Sequence, residues 1–220
     1  MKNKFSLLRE KLEGLSYPDN HTFDPETLLP TGILINRIKL LHKNAPEMMN
    51  GGKRFLDVGS NKGFMSFYLR DKFEDIIGYE PGKEFVEFSN TLKKAHGVEN
   101  IKFLIGSFHD IPDDFFDVVY LGNCLHYIFR HDIRQGLLPL SYIEKIKKLC
   151  SNILVVDGPQ NYWEFAIDSM SKTENWSEEI KKEFTLDNFT KKLGWCLIRT
   201  GYNGIGSGKS GRTTAVFRRV

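Results

Sequence analysis

An aspartate, a glycine-rich turn and, one strand–helix–strand step downstream, a glutamate carry the clearest chemistry in this 220-residue chain. The stretch Phe55-Leu56-Asp57-Val58-Gly59-Ser60-Asn61-Lys62-Gly63 runs from apolar residues through an acid into a turn. Gly59 and Gly63 lack the Cβ atoms that would keep a ligand off the backbone, so the N–H groups of the turn are expected to face a nucleotide cofactor. A dinucleotide loop reads G-x-G-x-x-G and cradles a pyrophosphate. The spacing here differs, and Asp57 stands where it would repel phosphate at short range. Such an acid suits a cationic or hydroxyl-bearing group, for example the amino group of a methionine moiety. Glu80 ends the next apolar stretch, and its two oxygens can accept both hydroxyls of a ribose. The same spacing occurs in NAD-binding domains, so Glu80 points to an adenosine cofactor without choosing between them. Tyr79 and Pro81 either flank the adenosine or only pack.

A second group follows the fourth apolar stretch, in Gly122-Asn123-Cys124-Leu125-His126-Tyr127-Ile128-Phe129-Arg130-His131, read as a loop. An imidazole whose ordinary pKa lies near 6.5 is matched to proton removal at neutral pH, so His126 is a candidate general base, with Tyr127 beside it. Alternatively it caps a helix or orients Tyr127. Arg130 and His131, with Lys209 and Arg212 further on, could bind an anionic group at the rim of a substrate cavity. Solvated charges on a flexible hairpin tip are the other reading of that last pair. The run Gly208-Lys209-Ser210 is no phosphate-binding loop, because it feeds a β-branched strand and no helix dipole is available.

These residues need a scaffold. The composition, 40% hydrophobic and 27% charged, is ordinary for a globular chain, and the length suits one domain. A net charge of +3 permits an anionic substrate but falls short of a nucleic-acid footprint. The three cysteines, Cys124, Cys150 and Cys196, have no metal-like spacing, and reduced core thiols are expected with no metal site. No apolar run approaches about 18–20 residues, and the first residues lead into a charged helix, which together predict a cytoplasmic protein with no membrane attachment. Amphipathic patterns predict helices over 4–14 and 32–43, then strand and helix in alternation: strands at 55–58, 75–80, 101–105, 116–121 and 152–157, and helices after Gly63, over 83–96 and over 133–149 with a kink or restart at Pro139. The segment 158–184 reads as an insertion carrying Tyr162, Trp163 and Trp176, either an aromatic lid that contacts substrate through Trp163 or an anchor to the body. A short helix over 186–193 and a hairpin of strands at 195–202 and 213–219 close the chain.

The pattern Asp57-x-Gly59-x-Asn61-x-Gly63 resembles motif I of the class I S-adenosylmethionine-dependent methyltransferases, with Asn61 at the middle glycine, as in some subfamilies. The resemblance covers roughly residues 55–220 and implies an α/β, doubly wound, seven-stranded and mostly parallel sheet with an antiparallel C-terminal strand and helices on both faces. It divides the chain into an N-terminal helical cap, 1–50, and a methyltransferase domain, 51–220. It assigns S-adenosylmethionine as cofactor and S-adenosylhomocysteine as product, held by Asp57, Gly59, Ser60, Asn61, Gly63, Glu80 and Pro81. Ser107 and Phe108 stand in the family's adenine-contacting loop, although a Phe at a strand end is equally a core residue. Phe115-Phe116-Asp117-Val118-Val119 resembles the family's fourth motif, which brings in Gly122 and Asn123. The tetrapeptide of amino-methylating nucleic-acid enzymes is absent. The expectation is methyl transfer to an oxygen of a small, anionic or sugar-like acceptor such as a glycan. An RNA or tRNA methyltransferase, a non-catalytic S-adenosylmethionine-binding module and an NAD-linked oxidoreductase are the alternatives.

Overall fold

A computed structural model describes residues 4–15, 23–137, 141–159, 162–164, 166–168, 176–203 and 212–220. Two compact units divide at residue 111, so the N-terminal helices share a unit with the first three strands.

In the first unit, helices α1 (Lys4–Gly14), α2 (Ile33–Asn44) and α3 (Pro46–Met49) precede β1 (Gly52–Val58). Leu8 and Leu12 on α1 are buried one turn apart, and Leu34, Ile38 and Leu41 on α2 form the expected inner stripe while Ile35 stays exposed. After β1 comes α4 (Phe64–Tyr68), then β2 (Phe73–Glu80), α5 (Lys83–His96) and β3 (Ile101–Ile105). The strands are parallel, in the order β3-β2-β1, with Asp57 opposite Gly78 and Glu80 opposite Ile105. Helix α4 follows Gly63 as expected, and β2 starts two residues earlier than expected. A 3-10 turn, Phe108–Asp110, follows β3.

In the second unit, β4 (Phe116–Gly122) leads into α6 (Leu125–Arg134), then α7 (Ser141–Leu149), β5 (Cys150–Pro159), α8 (Glu178–Glu183), α9 (Leu186–Leu193), β6 (Cys196–Asn203) and β7 (Arg212–Arg218). The segment 122–131 is therefore a loop only at Asn123-Cys124, between the end of β4 and the start of α6. Leu125, Ile128 and Phe129 are buried at helical spacing, and their stripe wins over the turn chemistry that precedes it. Pro139 lies outside the described residues. Strand β4 runs parallel to β5, β7 antiparallel to β5, and β6 antiparallel to β7, in the order β4-β5-β7-β6. Strand β5 is buried on both faces from Ile153 onward, the pattern of a parallel strand covered on two sides. Seven strands in these orders, mostly parallel with an antiparallel C-terminal strand, make the Rossmann-like sheet the sequence implied.

An aromatic cluster fills the second unit. Phe129 packs against Tyr142, Trp176 and Phe184, and Trp163 against Phe184 and Phe189, with centroids 4.8–5.8 Å apart. Each such side chain contributes about 1.5–3 kcal/mol by burial. The described aromatics of 158–184, Tyr162, Trp163, Trp176 and Phe184, are all buried. No helix among the described residues is long and apolar enough to cross a membrane.

Candidate active site

The glycine turn after β1 is built on three left-handed residues: Gly59 (φ 70°), Asn61 (φ 49°) and Gly63 (φ 77°). Asparagine enters this region more readily than other side-chain-bearing residues, which explains how Asn61 stands where a glycine is usual. Its Oδ1 accepts from the Lys62 N–H at 2.8 Å and stiffens the turn. At Gly63 a Cβ would lie 2.6 Å from the Phe103 ring; this glycine is demanded by packing as well as by φ.

The N–H groups of the turn do not point at a ligand, contrary to the sequence expectation. Those of Gly59 and Ser60 donate to the Tyr79 carbonyl, that of Asn61 to Glu80 Oε2, that of Lys62 to Asn61 and that of Gly63 to the Ser60 carbonyl. A backbone whose donors are all taken is no anion cradle. What the turn presents instead is acid. Asp57 is 2% exposed, and its Oδ2 accepts from the Ser66 hydroxyl at 2.7 Å. Burial pushes its carboxyl up to about 6, against the Ser66 hydrogen bond and the nearby Arg37, which pull it down. Glu80 accepts from the Asn61 N–H with one oxygen and from the Gly82 N–H with the other, each at 2.9 Å. Burial raises its pKa, and these two bonds oppose the rise. Both oxygens are held in place and keep lone pairs for further donors. Ser60 is buried, and its Oγ has no partner among the described residues; an orphan hydroxyl here marks a place where a ligand group can bond.

Nearby in sequence, Pro81 is exposed. The Ser107 hydroxyl and N–H both donate to Asp110 at 2.7 Å, and Phe108 is buried against His109.

In the second unit, Asn123 also adopts a left-handed conformation (φ 63°). Its N–H donates to the Asp157 carbonyl, and its Oδ1 is buried without a partner among the described residues. Gly122 is half-buried. His126 is 3% exposed, and burial together with Arg130 lowers its pKa to about 4. Tyr127 is half-exposed at 51%, with the Arg130 guanidinium 5.4 Å from its ring centre. His131 is exposed and lies 3.6 Å from Asp132.

Two residues expected at a substrate rim are engaged elsewhere. Arg212 is buried and grips Asp157 with Nε at 3.2 Å and a terminal nitrogen at 2.7 Å. The Tyr120 and Thr214 hydroxyls donate to the same carboxylate. Trp163 is 6% exposed inside the aromatic cluster. An anion reaching Arg212 would have to displace Asp157, whereas the buried Nε1 of Trp163 has no hydrogen-bond partner among the described residues. Lys209 lies outside the described residues.

Sequence reasoning missed the hydrogen-bonding roles of Ser66, Asp157 and Tyr162. Ser66 had a signal, as the one hydroxyl among Phe64, Met65 and Phe67. So did Asp157, which ends an apolar strand as Asp57 and Glu80 do. Tyr162, whose hydroxyl meets His126, had none.

Comparison with known proteins adds family evidence to this geometry. A family model described as "Methyltransferase domain" matches residues 49–201. The uncharacterized methyltransferase YcgJ of Bacillus subtilis (strain 168) is 27% identical over 106 residues, 47% of this chain and 40% of that protein. The chain therefore matches less than half the length of this curated relative. Among solved structures, the N-methyltransferase NodS of Bradyrhizobium japonicum WM9 in complex with S-adenosyl-L-homocysteine superposes with a TM-score of 0.60 at 13% identity, covering 99% of each chain. The PH0226 protein of Pyrococcus horikoshii OT3 gives 0.63 at 13% identity over 93% of this chain and 97% of its own. At such identities these likenesses concern the fold alone.

Proposed function

From the membership of this chain in the S-adenosylmethionine-dependent class I methyltransferases, we propose that it transfers a methyl group to an oxygen of a small, anionic or sugar-like acceptor. The cofactor is S-adenosylmethionine. When bound, it supplies a methyl group activated on a sulfonium, so the protein's task is to bind, orient and exclude water. The observation that carries the reading is the turn after β1, which offers two buried carboxylates and an orphan hydroxyl while every backbone N–H of residues 59–63 is taken. That set of acceptors suits an ammonium and ribose hydroxyls and is poor for a pyrophosphate, which favours this cofactor over NAD.

In this reading Glu80 accepts the ribose hydroxyls and Asp57 faces the ammonium of the methionine moiety. Ser60, Asn61 and the glycines shape the turn around them. Pro81, Ser107 and Phe108 border the adenine, and the resemblance of β4 to the family's fourth motif assigns Gly122 and Asn123 to the cofactor as well. Arg130 and His131, both on α6, are the proposed contacts of an anionic acceptor, since Arg212 is committed to Asp157. The test is calorimetric titration with S-adenosylmethionine, S-adenosylhomocysteine and NAD, beside a Glu80→Ala variant. Binding of the first two that the variant loses is expected. Binding of NAD alone would overturn the assignment.

A further inference from the structure

We infer that Tyr162 is a positioning residue that holds His126 as the neutral imidazole with its proton on Nε2, so that the acceptor substrate meets a hydrogen-bond donor there and not a base. The argument is a count of protons. The His126 backbone N–H donates to the Tyr162 hydroxyl oxygen at 3.0 Å, and the same oxygen lies 2.8 Å from His126 Nδ1. A backbone amide can only donate, so the phenol oxygen is its acceptor. Nδ1, 2.8 Å away, is then the acceptor in place for the phenol's own proton. Nδ1 must be bare and Nε2 protonated. In the opposite tautomer the buried phenol proton would lose that acceptor, a penalty large enough to bias the two forms about tenfold or more.

Packing holds the arrangement in place. The Tyr162 ring lies against the backbone of Gly158, where a Cβ would approach it to 2.0 Å. Its other neighbours are the His126 and Trp163 rings, each with a centroid 5.6 Å away and an edge-on approach. Tyr162 is 1% exposed. The charged and titratable groups around the imidazole, Arg130 and Tyr127 on its own helix and Tyr162 from the segment after β5, include no carboxylate to stabilise an imidazolium. Nε2 has no partner among the described residues. It belongs to a residue just past the carboxyl end of β4, the edge at which open α/β sheets bind ligands.

An imidazole that already carries its proton on the outward nitrogen cannot take one from a hydroxyl. Resting on the methyl-transfer reading above, the inference narrows the acceptor to an oxygen that is anionic before it reacts, and a carboxylate is the class that fits. One carboxylate oxygen accepts from Nε2–H. A lone pair of the other forms the O–CH3 bond while the C–S bond breaks and its electron pair stays on sulfur. Anion and sulfonium become a neutral ester and a neutral thioether, and no proton moves.

The test is nitrogen-15 NMR of the full chain with labelled histidine, the His126 signals being assigned by their loss in His126→Gln. Expected is a protonated Nε2 and a bare Nδ1 that do not titrate between about pH 5.5 and 8. In Tyr162→Phe the tautomers mix and the Nδ1 resonance moves. Acetate, the smallest carboxylate probe, added with S-adenosylhomocysteine present, shifts the Hε2 proton in the unaltered protein. A proton on Nδ1, a ring that titrates near its ordinary value, or an Hε2 signal indifferent to acetate would overturn the inference. Tyr162→Phe with unchanged tautomer signals would overturn it too, even if that variant is less stable. Calorimetry with S-adenosylhomocysteine on the same samples reports separately whether the cofactor reading holds.

Discussion

Two buried groups give this protein opposing responses to acid. Asp57 has a folded pKa of about 6 against an ordinary 3.8, so it binds its proton more tightly folded than unfolded. Its contribution to stability is full below about pH 4 and is lost as pH rises through about 6. The shift corresponds to something on the order of 3 kcal/mol. His126 has a folded pKa of about 4 against an ordinary 6.5, and its contribution, of similar order, has the opposite sense: present above about 6.5 and lost as pH falls toward 4. The two slopes overlap and partly cancel. Urea unfolding at a series of pH values should therefore expose a stability that rises from pH 4 to 6.5 in Asp57→Asn and one that falls over pH 4 to 6 in His126→Gln. Cofactor affinity has a sign of its own, since only the ionised Asp57 attracts an ammonium. Binding of S-adenosylhomocysteine should weaken by up to about tenfold per pH unit below 6, and Asp57→Asn should flatten that dependence. At Glu80, loss of hydrogen bonds to a charged acceptor costs about 1.5–3 kcal/mol, or roughly ten- to 150-fold in affinity. Isothermal titration of Glu80→Ala reads that loss directly.

The elements decide which of these residues were readable in advance. Asp57, the turn and Glu80 lie in two short stretches where an apolar strand stops at an acid, a local pattern with few interpretations. The orientation of the turn's first N–H groups was not local: those of Gly59, Ser60 and Asn61 donate to Tyr79 and Glu80 on the neighbouring strand, and only pairing in the sheet makes that visible. The apolar spacing of Leu125, Ile128 and Phe129 was present in the sequence, but Gly122 and Asn123 drew the whole stretch toward a loop. Arg212 looked like a rim cation because its partner Asp157 stands far back in the chain. Two substitutions probe these elements. Asn61→Gly should leave the turn intact, whereas Asn61→Val forces a branched side chain into the left-handed region and should cost about 1–2 kcal/mol, read as a lower unfolding midpoint with weaker cofactor binding. Arg212→Met leaves Asp157 as a buried, uncompensated charge and should destabilise by about 3–5 kcal/mol, measured by chemical unfolding.

For the molecule as a whole, binding is a stability term. Saturation with S-adenosylhomocysteine at a hundred times its dissociation constant should add about 2.7 kcal/mol and raise the melting temperature, while NAD should leave it unmoved. The modest net charge of +3 gives little grip on a phosphate backbone, so filter retention of RNA is expected to be weak. Strong retention that collapses with added salt would instead favour the nucleic-acid alternative. The class of the fold was legible because its order of strand and helix is written along the chain, but the order of the last strands carries a further meaning. Strand β7 lies between β5 and β6, although it is the last of the three to be made. On the ribosome, β6 has no neighbour to join and Asp157 no guanidinium until residues 212–218 have emerged. The second unit can thus pair β6 and neutralise Asp157 only after residues 212–218 leave the exit tunnel, and until then it depends on whatever shields an unpaired strand edge.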